Sequence, residues 1–116
     1  MKPSSAKAKG RNLQQLVAKK LIESFPQFTA LDIKSTSMGV TGEDVQLSQG
    51  AKDLLCIQIE CKNRAKIAVF QDYAQAKTHG NAEPVVVLKQ NHSKPLALID
   101  LDYFIKILKG SINERI

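Results

Sequence analysis

Residues 54–61 (LLCIQIEC) constrain the fold of this chain more than any other segment. They begin apolar on both faces and end apolar on one: Ile57, Ile59 and Cys61 alternate with Gln58, Glu60 and Lys62. Side chains of a strand alternate with a period of two. The pattern therefore describes a strand that starts inside a covered sheet and opens to polar chemistry at its end. A strand of this kind needs partners on both edges and layers on both faces.

The rest of the chain supplies them. Asn12 caps a helix predicted to run to about Phe25, with Pro26 as its stop; Leu13, Leu16, Val17, Leu21 and Phe25 share one stripe at 100° per residue. Residues 31–37 (LDIKSTS) and 43–48 (EDVQLS) alternate as strands around a turn at 38–42, and residues 49–53 read as a hairpin turn. A helix is expected over 66–79 with Gly80 as its cap, then an apolar strand at 84–89 (PVVVLK), a strand at 96–101 and a short helix at 102–108. The expected order is αβββαββα, an α/β fold with a central mixed five-stranded sheet flanked by helices. Residues 1–10 read as a flexible basic arm and 11–116 as a single domain.

Charge separates along the chain. Lys and Arg number 17 against 11 Asp and Glu, net +6, and the excess sits in the first 22 residues: Lys2, Lys7, Lys9, Arg11, Lys19 and Lys20, with no acid. That asymmetry points to a polyanion, foremost DNA, with Lys7, Lys9 and Arg11 holding the backbone without reading sequence. Aromatic residues make up only 5%, which disfavours a base-stacking RNA module. No apolar run of about 18 residues is present, so no membrane span is expected. The basic N-terminus lacks the apolar core of a secretory signal. Two cysteines are too few for a disulfide scaffold or a four-cysteine zinc site, and a cytoplasmic location is expected.

Glu60 and Lys62 stand two apart on one strand, so they share a face at roughly 6–7 Å. Asp44 lies on the preceding strand, and adjacent strands sit ~4.8 Å apart. Asp44 and Glu60, with the main-chain carbonyl of Cys61, make a hard-oxygen donor set suited to Mg²⁺, with Mn²⁺ as substitute. Lys62 beside them is placed to orient a water or to stabilise charge developing on a phosphate. Lys62, Arg64 and Lys66 form a basic run leading away, suited to flanking phosphates. A cation also reconciles an acidic cluster with a polyanionic partner, because it reverses the local field. His79 is assigned to a helix end, where the dipole favours its cation. With no histidine near Cys56 or Cys61 in sequence, a cysteine nucleophile is disfavoured.

Asp44, then Glu60-Cys61-Lys62 closing a long strand, then a helix, resembles the PD-(D/E)XK nuclease superfamily. Within it the chain looks most like archaeal Holliday junction resolvases and small bacteriophage proteins of that type. The resemblance implies a restriction-endonuclease-like fold and a magnesium-dependent endodeoxyribonuclease of DNA recombination. It implies a phosphodiester hydrolase leaving 5′-phosphate and 3′-hydroxyl ends, with Asp44 and Glu60 as metal ligands and Lys62 as catalytic residue. Symmetric paired cuts call for a homodimer; no small-molecule cofactor is expected. Lys9-Gly10-Arg11 resembles the basic-Gly opening of those resolvases, and the family's helix-one carboxylate then falls on Gln14, which offers one neutral oxygen. Glu23 is the rival for that role. Ser35-Thr36-Ser37-Met38-Gly39 resembles the family's Ser/Gly-rich segment near the scissile phosphate, which makes Ser35 and Ser37 DNA contacts. Gln75 matches a glutamine that touches the site in related nucleases. Glu43 stands where the family often has proline. Two alternatives follow from the same resemblance: a catalytically weakened DNA-binding subunit of this fold, or a restriction- or repair-type nuclease acting on linear or modified DNA.

Overall fold

A computed structural model describes residues 3–36 and 42–115, with side chains over 6–36 and 42–111. The elements in order are α1 (Pro3–Ser24), β1 (Ile33–Ser35), β2 (Val45–Leu47), α2 (Gln49–Leu55), β3 (Ile57–Asn63), α3 (Val69–Lys77), β4 (Glu83–Lys89), β5 (Leu96–Leu98) and α4 (Leu101–Arg115). The five strands form one mixed sheet in the order β1-β2-β3-β4-β5. β1, β2 and β3 form an antiparallel meander, β4 runs parallel to β3 along its whole length, and β5 returns antiparallel. The parallel step is the one that needs a helical crossover, and α3 supplies it.

The alternation read in the sequence sorts β3 onto two faces. Ile59 and Cys61 pack in the core with Leu13 and Ala18 of α1, Ile33, Val45, Leu47 and Ala51. On the other face, buried Gln58 donates its amide to the Ala76 carbonyl at the end of α3, at 2.8 Å. The sheet is thus a middle layer with α1 on one side and α3 on the other. Among the described residues no helix is long and apolar enough to cross a membrane.

Three differences from the sequence expectation have local causes. Helix α1 starts at Pro3 rather than Asn12, so residues 3–10 are helical and not a loose arm. Proline suits the first helical position, and Ala6, Lys7, Ala8 and Lys9 are strong helix formers that carry the helix across Gly10. Lys9 is also tied down: its Nζ donates to Asn91 Oδ1 at 2.7 Å, and its carbonyl accepts from Asn63 at 3.4 Å.

Residues 49–55 form helix α2 where a hairpin turn and strand were expected, so the order is αββαβαββα. Ser48 is its N-cap, accepting from the Ala51 amide at 3.2 Å while its hydroxyl donates to Asp32. Cys56, at φ 55°, closes it in the left-handed conformation. Leu54 and Leu55, apolar on successive positions, mimic a doubly buried strand; in the helix Leu55 turns to the core and Leu54 to solvent. Finally, α4 runs to Arg115 rather than Leu108, α3 shortens to Val69–Lys77 with Thr78 rather than Gly80 as its cap, and β1, β2 and β5 shorten to three residues each. Ser37 and residues 38–41 of the expected turn lie outside the described residues; Gly42, at φ +109°, borders them.

Candidate active site at the ends of β2 and β3

The β2–β3 ladder is short and its end creates the site. Val45 pairs with Ile59, and the next step sets Asp44 opposite Glu60, so their side chains share a face. The Asp44 amide donates to the Ile59 carbonyl at 2.9 Å. One step on, the Asp44 carboxylate replaces the main chain as acceptor: the Cys61 amide donates to its Oδ2 at 2.7 Å. That bond fixes the carboxylate at the strand end. In an extended strand a residue's N–H and C=O turn to the same side. The Cys61 carbonyl is therefore directed toward β2, past the last ladder pair.

Glu60 is 3% exposed and held from two directions. Lys62 Nζ lies 3.5 Å from its Oε1, as their spacing on one strand face predicts. His79 Nε2 lies 2.7 Å from its Oε2. Burial raises the pKa of Glu60 above the usual carboxylate range, and the hydrogen-bonding proximity and charge of Asp44 push it further; Lys62 and His79 offset part of this. Burial raises the Cys61 thiol well above its usual range too, with Asp44 and Glu60 adding to the effect. A thiol held protonated is a poor nucleophile.

His79 is the site residue that sequence reasoning missed. Nineteen residues separate it from Glu60, with no spacing rule linking them. The crossover brings it there. α3 returns antiparallel to β3, and Gln58 staples its end by donating to the Ala76 and Gly80 carbonyls while accepting from the Ala82 amide. Gly80, at φ +157°, reverses the chain immediately after His79. A Cβ at Gly80 would sit 2.7 Å from Gln58 Oε1.

The other expected residues are spread more widely. Gln14 lies on the buried face of α1, 7% exposed, and its Oε1 has no hydrogen-bond partner among the described residues. Glu23 is exposed and pairs with Lys19 at 3.9 Å, with no contact to Asp44 or Glu60. Ser35 pairs in register with Val45, and its neighbour Thr36 donates its amide to the Asp44 carbonyl at 2.8 Å. The segment matching the Ser/Gly-rich stretch thus adjoins Asp44. Arg64 is engaged by buried Asp72, which joins the end of β3 to α3. Lys66 and Gln75 are exposed, and His79 rather than Gln75 is the side chain that reaches Glu60. Lys7 and Arg11 are exposed on α1.

Comparison with protein-family models, with curated proteins and with solved structures finds no match for this chain. The site therefore stands on its own chemistry. Among the described residues no group of three or more His, Cys, Asp or Glu gathers as a metal-binding cluster. Two carboxylates side by side remain, one strongly buried, with a main-chain carbonyl directed to the same strand end. This all-oxygen set fits a hard divalent cation that keeps several waters and takes only one or two protein carboxylates, the habit of Mg²⁺.

Proposed function

We propose that this protein is a metal-dependent DNA endonuclease of restriction-endonuclease-like architecture, acting on branched DNA such as four-way junctions. The observation that carries the reading is the convergence of Asp44 and Glu60 at one strand end with Lys62 at 3.5 Å from Glu60. Asp44, Glu60 and the Cys61 carbonyl would hold Mg²⁺ or Mn²⁺. The bound cation supplies Lewis-acid polarisation of a phosphate oxygen and a more acidic water. Lys62, on the same face, orients that water and stabilises negative charge as it builds on phosphorus. The Cys61 amide and His79 keep both carboxylates in place, so little reorganisation is needed when DNA arrives. Lys7, Lys9, Arg11 and Lys66, with Ser35 near Asp44, are proposed to meet the phosphate backbone.

The test is cleavage of a four-way junction, a flap and a linear duplex, each with and without Mg²⁺. The expected result is Mg²⁺-dependent cutting that favours the junction, lost in Asp44→Asn and Lys62→Ala while DNA binding persists. Cutting at the wild-type rate by either variant overturns the assignment. Preference for linear duplex shifts it to a restriction- or repair-type nuclease. A second reading, a DNA-binding subunit with weakened chemistry, is favoured by one observation: a glutamine, Gln14, stands where the resemblance expects a third carboxylate. Tight DNA binding without cutting in either Mg²⁺ or Mn²⁺ supports it.

A further inference from the structure

The end of the sheet beyond Lys62 gathers positive charge with little to offset it. β3 and β4 run parallel and finish together at Asn63 and Lys89, so the loops that follow them lie side by side. Gln90 ties the two loops by donating its side-chain amide to the Ala65 carbonyl at 2.9 Å. Lys9 of α1 reaches the same corner through its bond to Asn91. Lys9, Arg64, Lys66, Lys89, His92 and Lys94 are thereby drawn to one end of the fold. Neither residues 61–71 nor residues 84–99 include an Asp or Glu. Among the described residues, Arg64 alone of these cations lies within ion-pair distance of a carboxylate, that of Asp72.

The turn at the centre of this corner is fixed by its own hydrogen bonds. The Ser93 amide donates to the Gln90 carbonyl at 3.2 Å, and the Gln90 amide donates to Ser93 Oγ at 2.9 Å. Lys89 Nζ donates to the carbonyls of Gln90 and Ser93 at 3.1 and 2.9 Å. The result is a four-residue turn whose third residue, His92, stands at φ 63°. Turns with a left-handed third residue favour glycine there, because a Cβ crowds the backbone. Here that place holds a histidine, exposed to solvent. A side chain kept where the turn itself would prefer none points to a use outside the turn.

The corner also adjoins the site. Lys62, Leu88 and Leu96 stand in register on β3, β4 and β5 and share one face of the sheet. Leu88 and Leu96, with Ile67, Lys89 and Lys94, line an open cleft of about 360 Å³. A DNA strand carries one phosphate per ~3.4 Å of helix axis, so a backbone seated at Lys62 brings further phosphates over this corner.

We propose that the turn at 90–94 is a second DNA contact, in which the His92 ring and the Lys94 ammonium meet backbone phosphates flanking the one at Lys62. The inference rests on the DNA-binding part of the reading above and needs no cutting.

Fluorescence anisotropy of the metal-free protein with a labelled duplex and a labelled four-way junction, at several salt concentrations, tests it. Lys94→Ala is expected to weaken binding to both DNAs about fivefold and to lower the slope of log affinity against log salt by about 1. His92→Gly suits the backbone of the turn, so its melting temperature should hold or rise while DNA affinity falls about threefold. Lys77→Ala, at the opposite end of β3 beside Gln58, should change neither affinity nor slope. Wild-type affinity in both Lys94→Ala and His92→Gly overturns the inference and leaves the nuclease reading intact. A loss of affinity in both variants, in a protein that cuts no DNA with Mg²⁺, upholds the inference and removes the nuclease reading. A wild-type protein that binds neither DNA removes both.

Discussion

Glu60 is where residue-scale physics is most exposed to test. Its folded-state pKa is raised, so the folded protein holds that proton to higher pH than the unfolded chain, whose ordinary value is 4.5. The folded state then binds more protons between those two values, and stability falls as pH rises through that window. Below 4.5 both states are protonated and the residue contributes nothing. Glu60→Gln, an isostere of the neutral form, should therefore stabilise the metal-free protein at pH 7 by about 1 kcal/mol, with the gap closing as pH falls to the ordinary carboxylate value. Thermal melts across pH measure it. If the proposed cation binds, Mg²⁺ at ~100 times its dissociation constant should raise wild-type stability by about 2.7 kcal/mol and leave Glu60→Gln almost unmoved. His79 acts on the same carboxylate from the far side. His79→Ala is expected to weaken Mn²⁺ binding by about 10–100-fold, read by electron paramagnetic resonance, with part of the loss recovered in His79→Gln, which keeps a donor.

At the scale of elements, the staple between β3 and α3 is the feature that puts His79 in reach. Gln58 uses both ends of its amide on the turn after α3, and Gly80 fits only because it has no Cβ. Gly80→Ala adds an atom 2.7 Å from Gln58 Oε1 at a φ that L residues rarely adopt, so it should cost about 2–3 kcal/mol in denaturant unfolding. The Mn²⁺ affinity should fall with it, since the displaced turn carries His79. Elements also show how far local pattern reaches. The alternation of β3 is legible from Ile57 onward because one face meets α1 and the other α3. Leu54 and Leu55 are not, because two adjacent apolar residues suit a strand buried on both faces and a short capped helix equally. Ser48 is a good N-cap by type, but a serine before Gln49-Gly50 fits a turn as well; the hydroxyl's bond to Asp32 is a tertiary fact.

At the scale of the whole molecule, charge and surface apolarity define two separate regions. Most of the basic excess lies on α1, an ordered helix from Pro3, which presents Lys7 and Arg11 from a helix rather than a trailing arm. If α1 holds the backbone of DNA, Lys7→Ala and Arg11→Ala should each lower affinity for all sequences alike and reduce the slope of log affinity against log salt by about 1. Fluorescence anisotropy at several salt concentrations measures both. Net charge and its location are properties of composition, so they were legible without a structure. The exposure of Leu101, Phe104, Ile105 and Leu108 on α4 was not: their spacing marks an amphipathic helix, but whether that helix buries its apolar side against its own sheet is decided by how the chain packs.

The same division runs through the protein. The linear sequence determined the α/β class, the five strands of the sheet and the sharing of one face by Glu60 and Lys62, because each follows from side-chain period along a single element. Only the tertiary structure decided that residues 49–55 coil into a helix, that the Asp44 carboxylate takes the Cys61 amide as the ladder ends, and that His79 closes on Glu60. Those outcomes depend on which elements lie side by side, and that contact energy has no signature in the spacing of any one segment.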